Sequence, residues 1–338
     1  MPFRSGKKRW GVAALLALGA AALLAGCENS PTILDPAGPV AKREADLFWF
    51  IFIVATVVFV AVTSVLIYSV FRFRARPEGA APRQVHGNTT IELAWTIGPS
   101  LVLFAVLAVT ITTMFGLAQP ASANVVTVRA IGHQWWWEFQ YPDQRIVTAD
   151  EMHIPTGTVV HIDLVSDNVI HSFWVPQLGG KTDVIPGHDN TMWLQADRAG
   201  QYRGECAEFC GAQHAHMDFM VVAESNDSFQ SWVTQEQQHA QAPTDSLAQQ
   251  GQKIFSQKCV GCHLIDGVNQ PNKAQIGPNL THFGSRKLIA GYVLDNTPEN
   301  LAEWLRDPQA VKPGNDMPNL HLSQGQIDAL VVYLEGLK

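Results

Sequence analysis

The run Cys206-Ala207-Glu208-Phe209-Cys210-Gly211-Ala212-Gln213-His214-Ala215-His216-Met217 gathers two thiols, two imidazoles and a thioether into one short segment. Donors this crowded point to metal ligation rather than to structural cross-linking. A Cys2His2 zinc site is one reading. Three features weigh towards copper. The donors outnumber what one tetrahedral ion takes, thiolate with thioether suits copper, and a further histidine lies on a separate predicted loop, Asp167-Asn168-Val169-Ile170-His171-Ser172-Phe173. Two thiolates bridging two copper ions would use these donors together.

The surrounding residues have the texture of a β-domain. Between Val125 and Glu224, short apolar runs rich in Val, Ile and Trp are broken by Pro155-Thr156-Gly157, Leu178-Gly179-Gly180 and Ile185-Pro186-Gly187. Val125 to Val128, Val159 to Leu164 and Met192 to Leu194 are predicted strands of a sandwich or barrel. The segment Gly132-His133-Gln134-Trp135-Trp136-Trp137-Glu138-Phe139-Gln140-Tyr141-Pro142 is strongly aromatic, as a core strand or a domain interface would be. Residues 119–224 carry 5 basic and 13 acidic side chains, more negative than the whole chain's net −7.

Upstream, Leu47 to Phe71 and Leu93 to Ala118 contain no charged residue, and each exceeds the ~20 residues that cross a bilayer. Arg72, Arg74, Arg76 and Arg83 between them place that connection in the cytoplasm by the positive-inside rule, so everything after Ala118 faces outward. The first residues agree. A basic start (Arg4, Lys7, Lys8, Arg9), an apolar stretch from Val12 to Leu24 and Leu24-Ala25-Gly26-Cys27 read as an export signal. The last tetrapeptide resembles a bacterial lipoprotein box, with Cys27 as the lipidated residue; an ordinary signal peptide is the alternative.

Downstream, Ser225 to Asp245 is rich in Gln, Ser and Asn and reads as a solvated linker. Beyond it the pattern is helical. Thr297-Pro298-Glu299 starts one helix, and Ser323 with Gln326 forms a capping box ahead of Ile327, Leu330, Val331 and Leu334. Cys259-Val260-Gly261-Cys262-His263 is the pattern for covalent c-type haem attachment, with His263 offered to the iron. Met317, beside a proline in a Gly-Asn-rich loop, is a candidate for the opposite axial position; His282 and His321 are rivals. A thioether there would favour electron transfer over gas binding.

Taken together, Leu47 to Glu224 resembles the second subunit of haem-copper cytochrome oxidases, and Leu247 to Lys338 resembles a small bacterial cytochrome c domain. The combination is that of the caa-type branch. The resemblance implies a multidomain membrane protein made of a two-helix transmembrane hairpin, a cupredoxin-like β-sandwich and an all-α cytochrome c domain. The expected boundaries are 1–26 signal peptide, 27–45 external segment, 46–118 transmembrane helices, 119–224 cupredoxin, 225–245 linker and 246–338 cytochrome c.

Matched residue by residue, the resemblance implies a dinuclear CuA centre held by the side chains of His171, Cys206, Cys210, His214 and Met217 and by the Glu208 carbonyl. It also places the Glu208 carboxylate at a magnesium shared with the catalytic subunit, Trp135 on the path between an external donor and the copper, and Glu92 at the mouth of a proton channel. Asp218 departs from the family, which usually has proline after the methionine. The implied role is to accept electrons from an external donor such as a cytochrome c and pass them, through haem c and copper, to a catalytic subunit that reduces oxygen to water. That role belongs on the outer face of a bacterial cytoplasmic membrane, with no nucleic-acid partner. The equivalent subunit of a nitric oxide reductase, or a metal-free quinol-oxidase-like structural subunit, are the alternatives.

Overall fold

The computed structural model describes residues 31–74, 84, 87–118, 125–270 and 276–338. The predicted signal sequence, Cys27, Arg76 and Arg83 lie outside them. Helices α1 (Pro39–Arg72) and α2 (Thr89–Gly116) are long and apolar enough to span a membrane. Asn88 caps α2 by accepting from the Thr90 and Ile91 amides. Helix α1 starts at Pro39, earlier than the apolar run suggested, because proline is pre-organised for the first helical turn and Val40, Ala41 and Ala45 are buried.

That first turn is bolted to the β-domain. The Ala37 amide donates to the Gln177 carbonyl at 2.7 Å, and the Ala37 carbonyl accepts from Asp197 at 2.8 Å. Gly38 lies so close to the Gln195 carbonyl that a Cβ would collide with it. At the end of α2, the Trp193 indole donates to the Leu117 carbonyl at 2.9 Å. Both outer ends of the helical hairpin are therefore tied to the domain above.

The β-domain is a sandwich of two five-stranded sheets. One has the order β3 (Ile146–Ala149), β2 (Trp136–Tyr141), β1 (Val125–His133), β5 (Val159–Ser166), β8 (Asn190–Leu194). The other runs β4 (Glu151–Pro155), β10 (Asp218–Glu224), β9 (Gly200–Cys206), β6 (His171–Trp174), β7 (Thr182–Val184). The β1–β5 and β4–β10 pairs are parallel and the others antiparallel. Alternation along β2 sends Trp137, Phe139 and Tyr141 inward. Trp137, Phe139, Phe173 and Phe219 fill the space between the sheets, with Phe173 and Phe219 stacked at 4.6 Å. Gly204 faces the Phe219 ring, which leaves no room for a Cβ.

The stretch 225–245 is not simply a solvated linker. Asn226–Glu236 forms helix α3, capped by Ser225, and buries Phe229 and Val233. Trp232 on the same face stacks on His153 at 4.4 Å. The apolar spacing of Phe229, Trp232 and Val233 outweighs the polar composition around it.

In the C-terminal domain, α4 (Ser246–Lys258), α5 (Pro298–Arg306), the short α6 (Pro308–Val311) and α7 (Gln324–Glu335) surround an apolar core, with a small hairpin of β11 (Leu288–Ile289) and β12 (Leu294–Asp295). Helix α4 packs closely on α7 at Gly251, where a Cβ would strike the Ala329 carbonyl. Thr297 caps α5, and Ser323 with Gln326 forms a capping box on α7.

Candidate metal centre and adjoining cavity

Strand β9 ends at Cys206 and β10 begins at Asp218, so the donor-rich run is the loop joining two central strands. His171 reaches the same point from the start of β6. Cys206 Sγ lies 3.9 Å from Cys210 Sγ, 3.9 Å from His171 Nδ1 and 3.2 Å from the Glu208 carbonyl oxygen. Cys210 Sγ is 3.7 Å from both His214 Nδ1 and Met217 Sδ. Among the described residues, His171, Cys206 and Cys210 form a buried group whose ligand atoms all lie within 4.8 Å of one another. The donor set fits a soft thiophilic metal such as copper.

The hydrogen bond between Cys206 and Cys210, opposed by burial and helped by His171 and backbone groups, lowers the Cys206 thiol to about 3, while the same bond and burial drive Cys210 up. His171 Nε2 is 3.0 Å from Asn168 Oδ1; donating there leaves the Nδ1 lone pair aimed at the sulfurs. Sequence reading did not single out Asn168, although it stands three residues before the histidine. The Glu208 carboxylate is exposed beside the loop and accepts from the Phe209 amide at 3.1 Å. Glu92 lies apart, in the first turn of α2.

A cavity adjoins this centre. Phe255, Cys259, Cys262, His263, Leu301 and Met317 line it from the C-terminal domain, and Gln134, Trp135, Trp136 and Asp150 line it from the β-domain. His263 Nδ1 is 2.9 Å from the Pro278 carbonyl; donating to it leaves Nε2 free for iron. Burial lowers the His263 pKa, which keeps the imidazole neutral. Gly277 packs against that ring, its Cβ position 2.5 Å from Cε1. Of the rivals to Met317, His282 lines a different cavity, with Nε2 on the Gln238 carbonyl, and His321 is exposed. An apolar pocket with two thiols at its rim and an imidazole and a thioether in its wall fits a c-type haem.

Trp135 belongs to both places. Its indole donates to the Cys210 carbonyl at 3.0 Å, and Gln134 Nε2 donates to the same oxygen at 2.7 Å. The departure at Asp218 also finds a structural use. Its carboxylate pairs with Arg203, and its amide, which proline would lack, points at the Gly291 carbonyl at 3.5 Å.

Buried charges occupy the seam between the domains. Asp150 is enclosed there and accepts from the Trp137 amide at 2.9 Å. Burial raises its carboxyl from 3.8 to about 6, opposed by that hydrogen bond and by Lys312 and Arg286. Burial lowers Lys312 to about 8, opposed by Asp150, Asp218 and Cys210. Asp150, Arg286 and Lys312 carried no sequence signal.

A pH dependence follows for Asp150. Its folded value lies above its unfolded one, so its stabilising contribution is present below about pH 4 and lost as the pH rises through about 6. The loss is on the order of 3 kcal/mol. Asp150→Asn keeps an acceptor for Trp137 and does not titrate. In denaturant unfolding of a 119–338 fragment, the wild type is expected to lose up to that amount relative to the variant between about pH 4 and 7. A stability difference that stays constant with pH would contradict this.

These features define a class: a membrane-anchored cupredoxin carrying a fused cytochrome c domain. Residues 29–112 match the transmembrane domain of cytochrome c oxidase subunit II, residues 144–225 its periplasmic domain, and residues 248–338 match cytochrome c. Cytochrome c oxidase subunit 2 of Alkalihalophilus pseudofirmus is 41% identical, over 93% of this chain and 94% of that protein. The Bacillus subtilis subunit of the same name is 37% identical over 98% of each chain. Quinol oxidase subunit 2 of Bacillus anthracis is 32% identical over 71% of this chain and 84% of that protein. The chain belongs to the cytochrome c oxidase subunit II family, in the form fused to cytochrome c. It is thus a membrane-anchored component of an oxidoreductase complex, assembled with a catalytic subunit. Its domains imply copper and haem c.

Proposed function

We propose that this subunit receives electrons from an external donor such as a cytochrome c on the outer face of a bacterial cytoplasmic membrane. Haem c and dinuclear copper, when bound, supply the one-electron carriers through which those electrons reach the catalytic subunit that reduces oxygen to water. Cys259, Cys262, His263 and Met317 would hold the haem; His171, Cys206, Cys210, His214, Met217 and the Glu208 carbonyl would hold the copper. The observation that carries this reading is Trp135, which walls the haem-type cavity and hydrogen-bonds the backbone of a proposed copper-bridging residue.

The chain's own residues prepare both sites for small electron-transfer rearrangement. Asn168 and the Pro278 carbonyl orient the two imidazoles, the β9–β10 strand ends fix the thiols, and burial keeps water out. In the same reading, the exposed Glu208 carboxylate joins a magnesium site completed by the catalytic subunit, Glu92 stands at a proton-channel mouth, and Cys27 carries a lipid. The domain limits proposed are those expected from sequence, with α3 assigned to the cupredoxin unit.

The test is metal counting with optical and spin-resonance spectra on the purified oxidase. A c-type haem and a purple copper centre with one electron spin shared over two nuclei are expected. Zinc without copper, in protein offered both, would defeat the copper assignment. The thiolates also bear on a metal-free quinol-oxidase-like role, which would have no use for two buried cysteines beside two histidines.

A further inference from the structure

Lys312 sits just beyond α6 in the cytochrome c domain and is only 3% exposed. Its ammonium lies 2.7 Å from the Trp135 carbonyl, 2.8 Å from the His216 carbonyl and 2.8 Å from the Ala290 carbonyl. The first two belong to the cupredoxin domain, the third to its own. An ammonium has three N–H donors, and all three are used. We propose that Lys312 is a positioning residue, a latch that locks the cytochrome c domain onto the cupredoxin domain in one orientation and thereby sets the haem-to-copper geometry. This rests on the electron path proposed above.

The argument is one of cost and placement. Taking an ammonium out of water is expensive, and an apolar side chain of similar length would be cheaper to bury. A charge kept there and fully satisfied by acceptors from both domains fixes register, the best-attested use of buried ionic groups. The acceptors are also specific. Trp135 is pinned at its carbonyl by Lys312 and at its indole by the Cys210 carbonyl, and His216 stands directly before Met217.

Neighbouring contacts point the same way. Gln213 Nε2 donates to the Pro313 carbonyl at 2.7 Å, and the Lys287 amide donates to Glu151 Oε1 at 2.7 Å. Gly291 leaves the space the ammonium needs, because a Cβ there would fall on Lys312 Nζ and 2.7 Å from the Trp135 carbonyl. Without the latch these flanking bonds remain, so the domains stay close but lose their single alignment.

The test uses the whole detergent-solubilised oxidase in three forms: wild type, Lys312→Met and Gly291→Ala. Amide hydrogen exchange reads docking without reference to any metal. Both variants are expected to exchange faster at residues 134–137 and 213–218 of the cupredoxin domain, while α7 keeps its protection. Photo-initiated haem-to-copper electron transfer is expected to be slower than in the wild type, because tunnelling between two carriers weakens steeply once the domain that positions them shifts, with haem and copper spectra unchanged. Wild-type exchange at both cupredoxin segments in both variants would overturn the latch. Faster exchange with an unchanged transfer rate would overturn its positioning role. A wild-type oxidase without copper or haem would defeat the proposed function instead, and the exchange comparison would still decide whether Lys312 docks the domains. If Lys312→Met does not assemble, Gly291→Ala decides alone.

Discussion

Cys206→Ser and Cys210→Ser are each expected to abolish the dinuclear copper centre, with loss of the purple band and of copper-dependent turnover. In the proposed site both thiolates would be needed to hold the two metals, and serine offers a hard, weakly acidic oxygen in place of a soft anion. The sulfurs are 3.9 Å apart and buried, so a lone remaining thiolate has no neighbour of its kind to complete the cage. Met217→Leu should behave differently. Met217 Sδ lies 3.7 Å from Cys210 Sγ, and a weak thioether ligand tunes a copper site more than it holds the metal. Copper content should survive there while the reduction potential and spectrum move. Native copper spectra in both serine variants would show the ligand assignment to be wrong.

The second large effect concerns the route by which electrons arrive. Removing the haem with a paired Cys259→Ala and Cys262→Ala change is expected to slow turnover with the physiological donor about tenfold or more, at least ~1.4 kcal/mol on the barrier. Copper should remain reducible by a small chemical reductant. The geometry gives the reason: Gly291, Lys312 and Gly314 of the cytochrome c domain lie against Trp135, which the proposed path places between an external donor and the copper. Charge supplies a second readout. Residues 246–338 carry 8 basic and 8 acidic side chains, so a donor docking there should show little salt dependence. The cupredoxin domain is strongly acidic and would draw a basic partner with steep salt dependence. Wild-type turnover in the haem-free variant, slowed steeply by salt, would place the donor at the copper domain.

How much of this was legible in the sequence depended on the range of the interaction. The apolar runs of α1 and α2, the alternation along β2 and the capping box of α7 are local patterns, and each produced its element. The spacing of Cys206, Cys210, His214 and Met217 is also local, since one loop carries all four. Helix α3 was misread because composition was weighed above period: Phe229, Trp232 and Val233 mark one helical face whatever lies between them. The seam was beyond reach. Lys312 meets Trp135 across 177 positions and Lys287 meets Glu151 across 136, and no periodicity records such pairs. Asp218 was noticed only as a departure; its partner Arg203 and the Gly291 carbonyl become visible only once strands β9 and β10 are paired and the domains docked.

The bolted first turn of α1 makes that helix a rigid pillar with a fixed height and phase. Its 34 residues give a rod of about 51 Å at ~1.5 Å per residue, against a hydrocarbon layer of about 30 Å. The surplus stands clear of the lipid, and Ala37, Gly38 and Ala41 grip the β-domain at its top. Because α2 also holds the domain, through Leu117, one residue added to the free-standing part of α1 alone would set the two anchors out of register by ~1.5 Å in height and about 100° in phase. A four-residue insertion would nearly restore the heading at a cost of about 6 Å in height. The matched lengths of the two apolar helices therefore set where, above the membrane plane, the subunit can hand on its electrons.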